Sequence, residues 1–477
     1  MAAVAHRDIL VVPPDTFEAV ILTLASQTIR TGIASALILA STRCASKPIE
    51  VNTAAILTLD TTRVAVRMRK PAPAKTFWTA MTNLDPDYPA GHPTTPDERK
   101  FADGLRMIMT GEPDDAELLF DSLRRHTDDP MVRSASHILL TATLQYQDKW
   151  KELAELSPVR QAETDSLDRN RAGVERWAAA FKDVPARRLT FPPNRVVMPL
   201  SLSAAGTPVI PVQINGKLLH FWLDTGSSMS IVASDVAVEC EVNPLVSDTL
   251  EVATVTGRIA AQPAMIRRID IGGISITNST AMIVAKELMQ VRVGNIDNPA
   301  GAMKIDGIIG FDIISRLNVQ VDYEAGSVRL AKPVRPEPGR GGPRNLFWVG
   351  TPIVRLIGPG GIPLHLRLDT GSQETYASER MLEKIRVRSF LGERKRIGGF
   401  AGMKEFRGRF IGDLRLALRG KTIHFQKLLV FAPAVSTVVN LDGVLGSDIG
   451  RTGIVQIDAL NGIFSVEPST EKGAERR

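Results

Sequence analysis

FWLDTGSS, residues Phe221 to Ser228, carries an apolar run directly into Asp224-Thr225-Gly226-Ser227, and LRLDTGSQ, Leu366 to Gln373, does the same into Asp369-Thr370-Gly371-Ser372. Asp-Thr-Gly on its own is an ordinary turn, in which the aspartate accepts from backbone two residues on and the glycine is free to take φ > 0. Two copies in matching contexts imply two carboxylates brought to one place. Each is followed by an acidic-glycine-apolar-apolar-glycine segment, DGIIGFD at Asp306 to Asp312 and DGVLGSD at Asp442 to Asp448. The first pair of aspartates is 145 positions apart (369 − 224) and the second 136 (442 − 306), so the second unit repeats the first with a slightly shorter interior.

The surroundings repeat as well. VQVDYEAGSVRL (Val319 to Leu330) and VQIDALNGIFSV (Val455 to Val466) both read as strand, turn around a glycine, strand. Ahead of the first aspartate, VIPVQI, an Asn215-Gly216 hairpin turn and LLHFWL form a hairpin, and TPIVRLI, Gly358 to Gly361 and PLHLRL repeat it. In the latter, Leu364, Leu366 and Leu368 alternate with His365 and Arg367, the pattern of a half-buried strand. KPVRPEPGRGGPRN, residues 332–345, has too many prolines and glycines for regular structure and reads as a linker. A duplicated β domain follows, with lobes at 195–331 and 346–468 and a polar tail at 469–477.

Hydrolysis of a peptide by water needs a base for the water proton and an acid for the leaving nitrogen. Two carboxylates about 3 Å apart do both, because they cannot both ionise and so share one proton. Asp224 and Asp369 are the expected catalytic pair. Thr225 and Thr370 are expected to brace the two loops, and Gly226 and Gly371 to permit close backbone approach and donate amides to the carboxylates. Ser227 and Ser372 are expected to hydrogen-bond the outer carboxylate oxygens. Flap hairpins are expected near Gly257 in the first lobe and at Gly398 and Gly399 in the second, closing over substrate to exclude water.

The combination of L-D-T-G-S with D-G-[IV]-[IL]-G-x-D resembles the retropepsin-like aspartic proteases, in particular their bacterial relatives, over roughly the last 270 residues. The resemblance implies a mainly β fold of two pseudo-symmetric acid-protease lobes and an aspartic endopeptidase acting on a polypeptide. It also implies that IIG and VLG thread beneath the catalytic loops, where Gly310 and Gly446 make room. Because one chain holds both motifs, the dyad is expected to be intramolecular and the monomer competent. A catalytically inactive peptide-binding module or interaction scaffold of the same fold is the alternative, with a cleft that recognises extended chains by strand addition.

The chain has 477 residues, 44% of them apolar and 23% charged, the balance of a globular protein with several cores. A net charge of +6 without a long basic run gives no argument for nucleic acid. The seven histidines form no H-E-x-x-H or close ligand pair, so no metal or other cofactor is expected. Two cysteines, Cys44 and Cys240, cannot build a disulfide framework, and Cys240 reads as a small buried hydrophobe. In residues 1–45, Arg30 followed by TGIASALILAS has the order of a secretory signal, although Asp8, Asp15 and Glu18 precede it. A start nearer Arg30 and a periplasmic destination are the expectation, with a cytoplasmic or membrane-tethered protein as alternatives. Residues 46–184 read as mostly helical from Asp97 on, with Gly111 and Pro113 at a break between helices. Ala102, Gly104, Gly111, Ala116 and Phe120 look like a tetratricopeptide helix pair, a module that packs on a neighbour or holds a protein partner.

Overall fold

The computed structural model describes residues 57–62, 68, 74, 76–156, 176–203, 206–254, 257–292, 302–337, 342–399, 402–431 and 439–468. The expected leader with Cys44, the polar tail and part of the interlobe linker lie outside the described residues. Among the described residues no helix is long and apolar enough to cross a membrane.

Each lobe is built on one nine-stranded sheet, and the two sheets have the same plan. The first runs Arg188–Thr190, Ile274–Val284, Ile231–Ala233, Gly307–Ile309, Lys217–Leu223, Pro208–Ile214, Gly257–Ile271, Leu250–Thr254. The second runs Leu57–Asp60, Lys421–Val430, Tyr376–Ala377, Gly443–Leu445, Pro363–Leu368, Pro352–Ile357, Gly402–Leu418, Phe390–Gly399. The remaining strand of each, Ser201–Leu202 or Leu346–Trp348, pairs antiparallel with the first strand of that lobe's hairpin, Pro208–Ile214 or Pro352–Ile357. The Asn215-Gly216 turn closes the first hairpin as two left-handed residues, φ 49° and 91°, with Ile214 opposite Lys217. In both lobes the strand entering Asp-Thr-Gly-Ser pairs in parallel with the strand of the apolar-apolar-glycine segment, Leu223 opposite Ile309 and Leu368 opposite Leu445. That pairing brings the two motifs of each unit together.

A separate five-stranded sheet ties the lobes into one body. Its order is Ile463–Glu467, Ile454–Asp458, Asn318–Asp322, Ser327–Ala331, Val196–Pro199. At its centre Val319 lies opposite Ile457, Gln320 opposite Gln456 and Val321 opposite Val455. Gln320 and Gln456 are also 136 apart (456 − 320), so each pairs with its own repeat mate and the pseudo-two-fold axis passes between them.

Two edge strands come from before the expected start of the lobes. Arg188–Thr190 pairs with Ser275 to Thr277, and Leu57–Asp60 pairs with Thr422 to Phe425. Strand Pro363–Leu368 differs from the half-buried expectation: His365 is only 3% exposed and packs edge-on to Phe347, while both its ring nitrogens lack partners. The strand sits inside the sheet with both faces covered, and burial together with nearby Lys384, Arg355 and Arg380 holds the imidazole well below its usual pKa and therefore neutral.

Among the described residues the helical region includes α1 (Phe77–Thr82), α2 (Pro96–Thr110), α3 (Pro113–His126), α4 (Pro130–Tyr146) and α5 (Trp150–Leu156). Thr95 and Glu98 form a reciprocal capping box at the start of α2, Gly111 ends it at φ 86°, and Pro113 opens α3. Helices α2 and α3 approach closely because Gly104 faces the Phe120 ring, where a Cβ would lie at 2.7 Å. This region is not detached from the lobes. Trp348 stacks between Tyr146 at the end of α4 (5.7 Å) and Phe311 of lobe 1 (5.4 Å), and its indole N–H donates to the Ala142 carbonyl at 3.1 Å.

Candidate active site

The two Asp-Thr-Gly-Ser loops meet on the pseudo-two-fold axis. The Thr225 amide donates to the Thr370 hydroxyl oxygen at 3.0 Å and the Thr370 amide to that of Thr225 at 2.9 Å. Both threonines are buried, so this reciprocal pair satisfies donors that have no access to water. The Thr370 hydroxyl donates in turn to the Leu223 carbonyl at 2.7 Å, tying loop 2 to the strand that delivers Asp224.

Asp224 and Asp369 lie between the loops, 9% and 6% exposed. Oδ1 of Asp224 accepts the Gly226 amide at 2.7 Å and, across the axis, the Gly371 amide at 3.1 Å. Oδ1 of Asp369 accepts the Ser372 amide at 3.0 Å. A Cβ on Gly226 would fall inside the Asp369 carboxyl group and one on Gly371 inside that of Asp224, so each loop leaves space for the other's aspartate. Burial, and next the charge of Asp369, push Asp224 up from 3.8 to about 7, against the amides of Gly226 and Gly371 and the charge of Arg367. Such a pair holds one proton near neutrality.

Gly310 and Gly446 each lie against the backbone that follows the Asp-Thr-Gly-Ser loop of their own lobe. Ser227 accepts the Phe311 amide at 2.8 Å and Ser372 the Ser447 amide at 2.8 Å, both through backbone carbonyls. A Cβ on Gly310 would lie 2.5 Å from the Met229 carbonyl carbon and one on Gly446 2.6 Å from that of Glu374. Neither glycine has positive φ, so the need is for space. The serine hydroxyls depart from expectation. They donate to the carbonyls of Met229 (2.6 Å) and Glu374 (3.0 Å), closing the turn two residues on, and do not serve the carboxylate oxygens.

Both flap candidates are hairpins. Thr254 pairs with Gly257 in lobe 1, and Gly398 with Met403 and Gly399 with Gly402 in lobe 2. Gly257 and Gly402 are themselves 145 apart (402 − 257), so the hairpins are repeat mates. The tips, 255–256 and 400–401, lie outside the described residues.

Sequence reading missed Arg367. Read as the outward residue of an alternating strand, it stands two places before Asp369, where lobe 1 has Trp222. Its guanidinium is 3.8 Å from Asp369 Oδ2 and donates to the Gly226 carbonyl. A cation beside one member of a carboxylate pair acts on the pair's shared proton. The signal available was the charge in LRLD against the indole in FWLD. Among the described residues no group of three or more His, Cys, Asp or Glu is placed to hold a metal ion.

Comparison with known proteins found two likenesses. The sequence model of the gag-polyprotein putative aspartyl protease family matches residues 210–316, the greater part of lobe 1. Among solved structures, a retropepsin-like aspartic protease from Rickettsia conorii is similar at 14% identity and a TM-score of 0.20, over 30% of this chain and 91% of that one. No curated protein matches the chain. Residues 210–316 are thus similar in sequence to a retropepsin-like family of aspartyl proteases, and the fold is mainly β with a helical N-terminal region.

Proposed function

We propose that the protein is an aspartic endopeptidase in which Asp224 and Asp369 of one chain activate water against a peptide carbonyl. The observation that carries this reading is the interlocked pair of loops, which holds two buried carboxyl groups with Asp224 raised to about 7. The ionised carboxyl takes a proton from water as its oxygen bonds to the carbonyl carbon, and the other gives its proton to the developing alkoxide. Collapse of the tetrahedral adduct breaks the C–N bond as the protonated carboxyl gives its proton to the leaving nitrogen and the ionised one takes the proton of a diol hydroxyl, so that an acid product forms and the pair again holds one proton. Gly226 and Gly371 amides keep Asp224 fixed through both steps. Substrate is an extended polypeptide lying between the lobes, under hairpins 250–271 and 390–418.

The test is hydrolysis of an unfolded protein by the purified chain with and without a hydroxyl-bearing transition-state peptide analogue. New amino termini that appear without the analogue and vanish with it are expected. Tight, stoichiometric binding of the same peptide with no new termini would overturn turnover and leave the inactive peptide-binding module.

A further inference from the structure

Behind the lobe-1 loop, a chain of polar contacts leads out to the helical region. The Gly310 amide donates to the Ser230 hydroxyl oxygen at 3.1 Å, and that hydroxyl donates to Asp312 Oδ1 at 2.9 Å. The other Asp312 oxygen, Oδ2, accepts from Arg187 at 2.9 Å, and the Asp312 carbonyl accepts from the same guanidinium at 2.6 Å. Arg187 also reaches Thr280 of the first sheet (3.1 Å) and Asp148, just past α4 (3.4 Å). Its side chain is only 4% exposed. A charge so buried is retained at high cost unless its geometry is used.

The repeat supplies a comparison within the molecule. In lobe 2 the mate of Ser230 is Thr375 and the mate of Asp312 is Asp448. There the Gly446 amide donates to the Thr375 hydroxyl oxygen at 3.0 Å, and Thr375 reaches both Asp448 oxygens, with its hydroxyl at 2.6 Å and its amide at 2.8 Å, while the Arg451 charge acts on the same carboxyl group. Lobe 1 uses Arg187 for the second oxygen, and Arg187 is held by Asp148 of the helical region.

We infer that Arg187 is a positioning residue through which the helical region fixes the lobe-1 aspartate loop: Asp148, Arg187, Asp312 and Ser230 hold the Gly310 turn against Ser227, and with it Asp224. This deepens the endopeptidase reading and rests on it. The helical region is then part of the catalytic machinery, although it places no group in the site.

The test uses the full chain and compares wild type, Arg187→Gln, Asp312→Asn and the double variant, with active concentration set by the folded fraction. Arg187→Gln leaves Asp312 buried without its cation, so kcat is expected to fall about 10- to 100-fold with KM within about two-fold, as small misplacement of a reacting group does. Asn at 312 still accepts from Ser230 and needs no cation, so the double variant should recover most of the loss. Amide hydrogen exchange over 225–228 and 309–312 should rise in Arg187→Gln and fall back in the double variant. Asp148→Asn, which leaves the Arg187–Asp312 pair in place, should lower kcat in the same direction and covers the case of an Arg187→Gln chain that does not fold. Unchanged kcat per folded molecule, or exchange that rises evenly over the chain, would overturn the inference. A wild type that cleaves nothing would defeat the endopeptidase reading, while the exchange pattern would still decide the role of Arg187.

Discussion

Removing the positive charge of Arg367 should move the upper limit of activity to higher pH. Its Nη2 lies 3.8 Å from Asp369 Oδ2, and both side chains are mostly buried, 14% and 8% exposed. Two unit charges at that separation interact by about 4 kcal/mol at an effective dielectric of ~20. Measured shifts from a cation so close are about 1–3 pK units. The dyad works with one proton, so the rate falls at high pH as that proton leaves, and Arg367 favours its leaving. With Asp224 at about 7, the wild-type limb belongs near neutrality. In Arg367→Gln the limb should rise by at least about one unit, whereas Arg367→Lys should keep it near the wild-type position. Because Arg367 also donates to the Gly226 carbonyl, kcat itself will drop, so the readout is the position of the limb in kcat/KM against pH and not its height. A limb that shifts by less than about 0.3 unit in Arg367→Gln would refute the electrostatic coupling.

Three further outcomes follow from the geometry. The Asp224 carboxyl is raised from 3.8 to about 7 on folding, so the stability it contributes is complete below about pH 4 and is lost as pH rises through 7; Asp224→Asn should match wild type in chemical unfolding at pH 4 and exceed it at pH 8, and equal stability at both would refute this. Gly310→Ala puts a methyl 2.5 Å from the Met229 carbonyl carbon and should cost about 1–3 kcal/mol together with most of the activity; a fully stable, active variant would show that the segments do not cross so closely. Trp348→Ala removes the ring between Tyr146 and Phe311 and should cost about 3–5 kcal/mol in urea unfolding, a loss below about 1 kcal/mol being incompatible with the helical region packed on the lobes.

What could be read from sequence was what local chemistry dictates. The Asn215-Gly216 turn needs left-handed backbone, Asp-Thr-Gly-Ser needs glycine for space beside the opposite carboxyl group, and repetition located the second copy of both motifs and of the strands that carry them. Gly310 and Gly446 were legible through the family pattern and are explained by the crossing backbones. Features set by partners distant in sequence left no such trace. Arg188–Thr190 and Leu57–Asp60 lie ahead of the expected lobes and could not be assigned to them, because their pairing strands lie far along the chain. His365 and Arg367 sit on a strand whose alternation signals one wet face, but packing covers that face. Arg187 appears in a proline-bounded stretch as one more surface cation, and only Asp312, 125 positions later, shows otherwise. The serine hydroxyls of the two loops were misread because the nearer acceptor, a carbonyl two residues on, outcompetes the carboxylate.

The central claim is one active site made by both halves of one chain. Asp224→Asn and Asp369→Asn should each abolish the release of new amino termini from an unfolded protein, and an equimolar mixture of the two variants should stay inactive, because each molecule joins its own loops through Thr225 and Thr370. Recovery of activity on mixing would mean that lobes pair between chains, and cleavage that survives either substitution would contradict the dyad itself.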